Sequence, residues 1–173
     1  MKALFLDRDG TLIEYIPYLS NPNLVKLMPY VQEVLFQAII HNYYLFLFTN
    51  QSGISRGLYT LHEVIACNKR MFQLLKLPKP GFTEVCIAPE HPEGPLVYRK
   101  PSPKFILEMI KKYKLKKSQC YMIGDSIYDL QAGLKAGIKT VTLVNQKLEN
   151  QELIPSNITK YESIYNWFKE IRK

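Results

Sequence analysis

Short apolar runs of strand length alternate along this chain with segments of helical period, and that alternation restricts the fold more than any other feature. Residues 3–6, 43–48, 82–87, 121–123 and 139–144 read as strands, the first two as continuous apolar runs covered on both faces. Between them, residues 30–40 place Val31, Val34, Leu35, Ala38 and Ile39 on one helical face, with Pro29 in the first turn. Residues 61–75 have helical period. Ser102 is placed to cap a helix that starts at Pro103 and runs to about Tyr113. Residues 127–136 form a helix closed by Gly137, and residues 163–171 a last one. Four prolines and a glycine make 88–102 a loop. Strand–helix alternation of this kind predicts an α/β fold of three layers, a central, mostly parallel sheet with helices on both faces. The 173 residues suit one domain spanning 1–173.

In such sheets ligands bind beyond the carboxyl ends of the strands, so those ends matter most. The first strand runs into Asp7-Arg8-Asp9-Gly10-Thr11, the second into Thr49-Asn50-Gln51-Ser52-Gly53, and the fourth into Gly124-Asp125-Ser126, with Asp129 one helical turn on. The loop after the third strand carries Arg99-Lys100-Pro101. In extended chain, residues two apart point the same way, so Asp7 and Asp9 are expected to share a site while Arg8 turns elsewhere. With Asp125 they make three carboxylates, a set suited to a hard cation with oxygen ligands, for which Mg²⁺ is the natural choice. Gly10 permits a tight turn. Thr49, the backbone N–H groups of residues 50–53 and the charge of Lys100 are candidates for holding phosphoryl oxygens.

Lys and Arg outnumber Asp and Glu by 23 to 15, giving +8, which favours an anionic ligand without choosing one. Cys67, Cys86 and Cys120 are odd in number and scattered, which argues against a disulfide framework and for small buried residues in a reducing compartment. The N-terminal apolar run is too short for a signal peptide, and no stretch approaches a membrane span, so the expected location is cytoplasmic with no membrane partner.

The motifs Asp7-Arg-Asp-Gly-Thr11, Thr49-Asn50-Gln-Ser-Gly-Ile54, Arg99-Lys100-Pro and Gly124-Asp125-x-x-x-Asp129 resemble, in order, the four motifs of the haloacid dehalogenase superfamily. Within it, Leu-Asp-Arg-Asp-Gly-Thr-Leu, Thr-Asn-Gln-Ser-Gly-Ile-Ser-Arg-Gly and His91-Pro…Arg99-Lys-Pro are most similar to the group of D,D-heptose 1,7-bisphosphate and histidinol-phosphate phosphatases. The resemblance implies a Rossmann-like fold with no large cap domain and a Mg²⁺-dependent phosphomonoesterase. It makes Asp7 the nucleophile, Asp9 the general acid and base, and Asp7, Asp9 (through its backbone carbonyl) and Asp125 the metal ligands. It has Thr49 and Lys100 stabilise the transferring group and Asp129 support the shell. Asn50, Gln51, Ser52, Arg56, Arg99 and Tyr18 are the candidate substrate contacts. Relatives of the heptose type carry a zinc site in the loop before Arg-Lys-Pro; those places hold Ala88, Glu90, Leu96 and Tyr98 here, so no zinc is expected.

The expected partner is a small phosphorylated substrate such as D,D-heptose 1,7-bisphosphate, with histidinol phosphate or a polynucleotide 3′-phosphate as alternatives. A different class, a basic nucleic-acid-binding protein using Lys111, Lys112, Lys114, Lys116 and Lys117, would also explain +8. A helix ending in lysines is, however, ordinarily a solvated end matched to the helix dipole, and no nucleic-acid-binding motif is present. The sequence leaves the oligomeric state open.

Overall fold

Alternation inside the strands decides which layer each side chain enters. In β1 (Lys2–Leu6) Leu4 and Leu6 join one core cluster while Ala3 and Phe5 join the other. In β2 (Tyr43–Asn50) Leu45 and Leu47 face the first layer, and Phe46 and Phe48 the second. Both faces are buried, which is why these strands read as unbroken apolar runs.

The computed structural model describes residues 1–144, 155 and 158–171. After β1 and β2 come β3 (Phe82–Ala88), β4 (Cys120–Gly124), β5 (Lys139–Leu143) and a two-residue β6 (Lys160–Tyr161). The helices are α1 (Val31–Ile40), α2 (Leu61–Leu75), α3 (Lys104–Lys112), α4 (Ile127–Ala136) and α5 (Ile164–Ile171). The six strands are ordered β3-β2-β1-β4-β5-β6 and every pair is parallel. The three-layer α/β architecture is as expected, with β6 an addition too short to show as a run. Side chains of α1, α2 and α5 pack on the leucine face, among them Val34, Met71 and Trp167. Those of α3 and α4, including Phe105 and Ala132, pack on the aromatic face. Phe5 and Phe46 stack there at 4.8 Å between centroids.

The cysteines are buried and free, as expected of small core residues, and burial pushes the Cys86 thiol up to about 12. No described helix is long and apolar enough to cross a membrane.

Local chemistry sets the helix ends. Thr60 and Glu63 close a reciprocal capping box on α2, and Ser126 with Asp129 does the same on α4. Gly137 ends α4 in the left-handed conformation (φ 72°), as expected. Two proline placements are corrected. Tyr30, at φ 62°, is the cap of α1, so Pro29 lies ahead of the first turn; the chain must turn there from the bridge that pairs Ile13 with Leu27. Pro103 is the cap of α3 rather than its first residue, and the Ser102 hydroxyl accepts from the Lys104 N–H at 3.3 Å.

From β1 the strand order runs outward in both directions, through β2 on one side and β4 on the other. The chain therefore leaves β1, β2 and β4 toward opposite layers, and a crevice opens at their carboxyl ends. The lysines of 111–117 lie at the other rim, where the Lys116 N–H donates to the Met1 carbonyl. Lys112 pairs there with Glu84, and Lys117 donates to the Ala136 carbonyl.

Candidate active site

Beyond Leu6 the chain stays tied to the sheet for one residue, the Asp7 N–H donating to the Ile123 carbonyl at 2.9 Å. It then winds tightly around the Arg8 carbonyl, which accepts from the N–H groups of Thr11, Leu12 and Ile13, with Gly10 at φ 77°. Strand alternation is lost at this point. Arg8 does not turn away from Asp9: its guanidinium forks the Asp9 carboxylate at 2.9–3.2 Å and reaches Asn68 Oδ1 on α2 at 2.9 Å. Gln51 Nε2 binds the same carboxylate at 2.9 Å.

The carboxylates that do converge are Asp7, Asp125 and Asp129, which offer oxygens within 4.8 Å of one another. Asp129, expected only as support, thus stands where the Asp9 side chain was expected. Gly124 makes this possible, because a Cβ there would overlap the Asp129 carboxylate. One Asp129 oxygen takes both the N–H and the hydroxyl of Ser126. The other lies 2.6 Å from Lys100 Nζ, which also lies 2.6 Å from Asp7 Oδ1 and donates to the Phe48 carbonyl at 2.8 Å. An ammonium has three donors, so protein acceptors meet all of those on Lys100. Its first task is to hold two aspartates rather than a free phosphate oxygen.

Three carboxylates and one ammonium leave two negative charges uncompensated. Burial, then Asp129 and Asp9 working against Lys100, pushes Asp7 up to about 7. Burial, then Asp7 and Asp129, pushes Asp125 up to about 9. Lys100 moves the other way relative to its charge: burial favours the neutral amine, but Asp129 and Asp7 outweigh it and hold the ammonium above the ordinary lysine range. A cluster so short of positive charge takes up protons or a cation, and a divalent ion would neutralise it. Asp125 Oδ2 is buried with no hydrogen-bond partner, a ligand atom in need of one. The donor set therefore fits Mg²⁺.

The end of β2 serves this site differently from expectation. Asn50 spends its amide on Lys100, accepting from its N–H at 2.8 Å and donating to its carbonyl at 3.1 Å. Gln51 is buried. Besides holding Asp9, it donates to Thr49 Oγ1 at 2.8 Å and accepts from the Tyr59 hydroxyl at 2.8 Å. Gln51 spends both amide N–H groups on positioning the site, whereas Asn50, which also lines the cavity, keeps one amide N–H beyond those bonds. The backbone N–H of Gln51 is also used, on the Ala88 carbonyl, which leaves those of Ser52 and Gly53 without backbone partners among the described residues.

A cavity of about 340 Å³ lies above this floor, lined by Asp7, Asp9, Asp125 and Lys100 and also by Arg56 and Arg99. Arg99 is half-buried, and burial lowers its pKa. Ser52 also lines the cavity. Tyr18 stands outside it and pairs with Arg56, hydroxyl to guanidinium at 3.4 Å. A larger hollow of about 620 Å³ opens at the opposite rim beside Lys2, Tyr43 and Tyr44, but its lining holds no acidic, histidine or cysteine side chain.

Arg8, Asn68, Tyr59, Ser126, Tyr15 and Tyr128 belong to the site or its walls and escaped the motif reading. Asn68 carried a signal: it is a lone polar residue on the buried face that Val64, Cys67, Met71 and Leu75 define.

Residues 71–143 match the family model described as haloacid dehalogenase-like hydrolase. D-glycero-beta-D-manno-heptose-1,7-bisphosphate 7-phosphatase of Rhodopseudomonas palustris is 33% identical, over 79% of each chain. D-glycero-alpha-D-manno-heptose-1,7-bisphosphate 7-phosphatase of Campylobacter jejuni is 31% identical, over 98% of this chain and 96% of its own. D,D-heptose 1,7-bisphosphate phosphatase from B. bronchiseptica, solved with magnesium and phosphate, superposes with a TM-score of 0.86 at 22% identity over 99% and 98% of the two chains. At that identity the last comparison speaks for the fold alone.

Proposed function

The chain belongs to the haloacid dehalogenase-like hydrolases and is a phosphatase of that family, and from this premise we propose that it hydrolyses a small sugar phosphate, a D,D-heptose 1,7-bisphosphate, with Mg²⁺ and an aspartyl-phosphate on Asp7. The observation that carries this reading is the meeting of Asp7, Asp125 and Asp129 around Lys100 at the carboxyl edge of the sheet. Asp129 also caps α4, but no structural or packing need accounts for the burial of Asp7 and Asp125 beside it.

Asp7 attacks phosphorus in line, and the bond to the leaving oxygen breaks as Asp9 delivers a proton to it. Water then attacks the aspartyl-phosphate and gives its proton to Asp9, and Asp7 is regenerated with release of inorganic phosphate. Asp9 lines the cavity, where Arg8 and Gln51 hold its carboxylate, and this reading gives it both transfers, the first from its protonated form. The Thr49 hydroxyl accepts from Gln51 and keeps its own proton to donate toward a phosphoryl oxygen, and Lys100 supplies charge beside it. Mg²⁺, held by Asp7, Asp125 and the Asp9 carbonyl with Asp129 in support, would neutralise the incoming phosphoryl oxygens. Arg56 and Arg99, both lining the cavity, suit a substrate with a second anionic group, as a bisphosphate has. The reading includes no zinc, no nucleic acid and no membrane, and it places the enzyme in the cytoplasm.

The test is phosphate release with Mg²⁺ from both anomers of the heptose bisphosphate, histidinol phosphate and a 3′-phosphorylated oligonucleotide. The heptose bisphosphate is expected to be turned over best, and Asp7→Asn to lose activity by about 10⁴-fold or more with its circular dichroism unchanged. Preference for another ester would overturn the substrate, and an active Asp7→Asn or a chelator-insensitive enzyme would overturn the mechanism.

A further inference from the structure

The loop that delivers Arg99 and Lys100 to the site is held at separate points, and one of them is unaccounted for by the reaction. Asn50 grips the backbone of Lys100 on both sides. Upstream, the Ser102 hydroxyl donates to the Val97 carbonyl at 2.7 Å, and the Tyr98 hydroxyl donates to Glu108 at 3.1 Å. Lys104 lies over the Tyr98 ring, 4.6 Å from its centroid. The remaining contact is the shortest: the Tyr98 N–H donates to Glu90 Oε1 at 2.6 Å. It closes the chain from Glu90 to Tyr98, eight positions apart, into one ring. The second oxygen of Glu90 is buried with no hydrogen-bond partner, so this carboxylate is kept at a cost. Glu90 and Tyr98 also stand at two of the places where the resemblance puts zinc ligands, and here a side chain and a backbone amide bridge them directly.

We propose that Glu90 is a positioning residue for Arg99: by clasping the Tyr98 amide it sets the direction from which Arg99 enters the cavity. The reason lies in the spacing of the anchors. Lys100 is fixed by Asn50 whether or not Glu90 is present. Arg99 sits between that anchor and Tyr98; the Ser102 N–H donates to its carbonyl at 2.9 Å, and the approach of the chain to it from Tyr98 is set by Glu90. Among the described residues, no hydrogen bond or ion pair holds the Arg99 guanidinium itself, and the backbone alone aims it. A charge-assisted bond to a main-chain N–H also removes the freedom of a proline-rich loop without a metal. The inference rests on the functional reading above for its substrate but not for its geometry.

Glu90→Ala and Glu90→Gln test it. Glutamine keeps an acceptor for the Tyr98 N–H, and alanine does not. For the bisphosphate, Glu90→Ala is expected to raise KM about tenfold with kcat within twofold, and Glu90→Gln to stay within about threefold of wild type in both. With p-nitrophenyl phosphate, which has no second anionic group, both variants are expected to match wild type. Amide hydrogen exchange at Tyr98 and Arg99 should quicken at least tenfold in Glu90→Ala alone. A KM unchanged in Glu90→Ala, equal losses of kcat on both substrates, or a glutamine variant as impaired as the alanine one overturns the proposal. The exchange arm needs no substrate: unchanged exchange at 98–99 overturns the inference even if turnover is as expected. Quickened exchange with no bisphosphate turnover by wild type supports the clasp and overturns the substrate reading instead. If the alanine variant does not fold, Glu90→Asp replaces it, its carboxylate falling about 1.5 Å short of the amide.

Discussion

Lys100 Nζ lies 2.6 Å from Asp7 Oδ1, joining two residues 93 positions apart in the chain. The ammonium is 2% exposed and the carboxylate is nearly as buried, so neither charge is tolerable without the other. Lys100→Met is accordingly expected to leave Asp7 and Asp129 facing each other unpaired, at a cost of about 3–5 kcal/mol in folding free energy. Turnover should fall by about 10²–10³-fold. Urea denaturation and Mg²⁺-supported phosphate release measure the two effects, and added Mg²⁺ should restore part of the stability and little of the rate.

Asp125 and Asp7 set the pH dependence of the metal-free protein. Their folded values, about 9 and about 7, lie above the ordinary carboxyl value of 3.8. Between roughly pH 4 and 9 the folded state therefore binds more protons than the unfolded chain, and stability contributed by these groups falls as pH rises. Mg²⁺ competes with those protons, so the melting temperature gained on adding it should grow from pH 6 to pH 8.5. Asp125→Asn should flatten the metal-free decline and abolish most of the gain. Melting curves in chelator and in Mg²⁺ across that range test both.

Arg8 is expected to matter although it touches no substrate in the proposed reaction. It is 1% exposed and joins Asp9 to Asn68. Arg8→Met would leave Asp9 with Gln51 alone and strand the Asn68 amide, so kcat should fall by at least about tenfold with KM little changed. Arg8→Lys should recover less than half of the loss, since a lysine cannot reproduce the two-pronged grip. Steady-state kinetics on the three proteins decides it.

At Gly124 the backbone itself is the functional group. A methyl there would occupy the place of the Asp129 carboxylate and displace it from Lys100 and Ser126. Gly124→Ala is expected to cost about 1–3 kcal/mol of stability and to weaken Mg²⁺ binding, as read by thermal melting and titration calorimetry. Gly57→Ala, at an open and exposed turn with φ 68°, is the control: backbone strain of about 1 kcal/mol and no change in Mg²⁺ affinity.

Much of the architecture was legible residue by residue. The bounds of α2 and α4 follow from helical period and from Gly137, and β1 and β2 from apolar runs whose two faces are both covered. Elements whose limits depend on neighbours were displaced: α1 and α3 begin one residue later than their prolines suggest, and β6 exists only as a partner for β5. The strand-end motifs located the site, because short polar runs after buried strands have no apolar reason to be there.

Which side chains meet inside that site was decided in three dimensions. From the chain, the Asp9 side chain was placed by an alternation that ends at Asp7, where the backbone leaves the strand. That Asn50 and Gln51 hold distant groups, Lys100 and Asp9, is not visible in local spacing. Periodicity and turn chemistry are properties of neighbouring residues, and they settled the layers and the strand ends, with Asp7 at one of them. Hydrogen-bond pairing and charge balance are properties of residues brought together from 29 to 93 positions apart, and only the folded sheet could assign them.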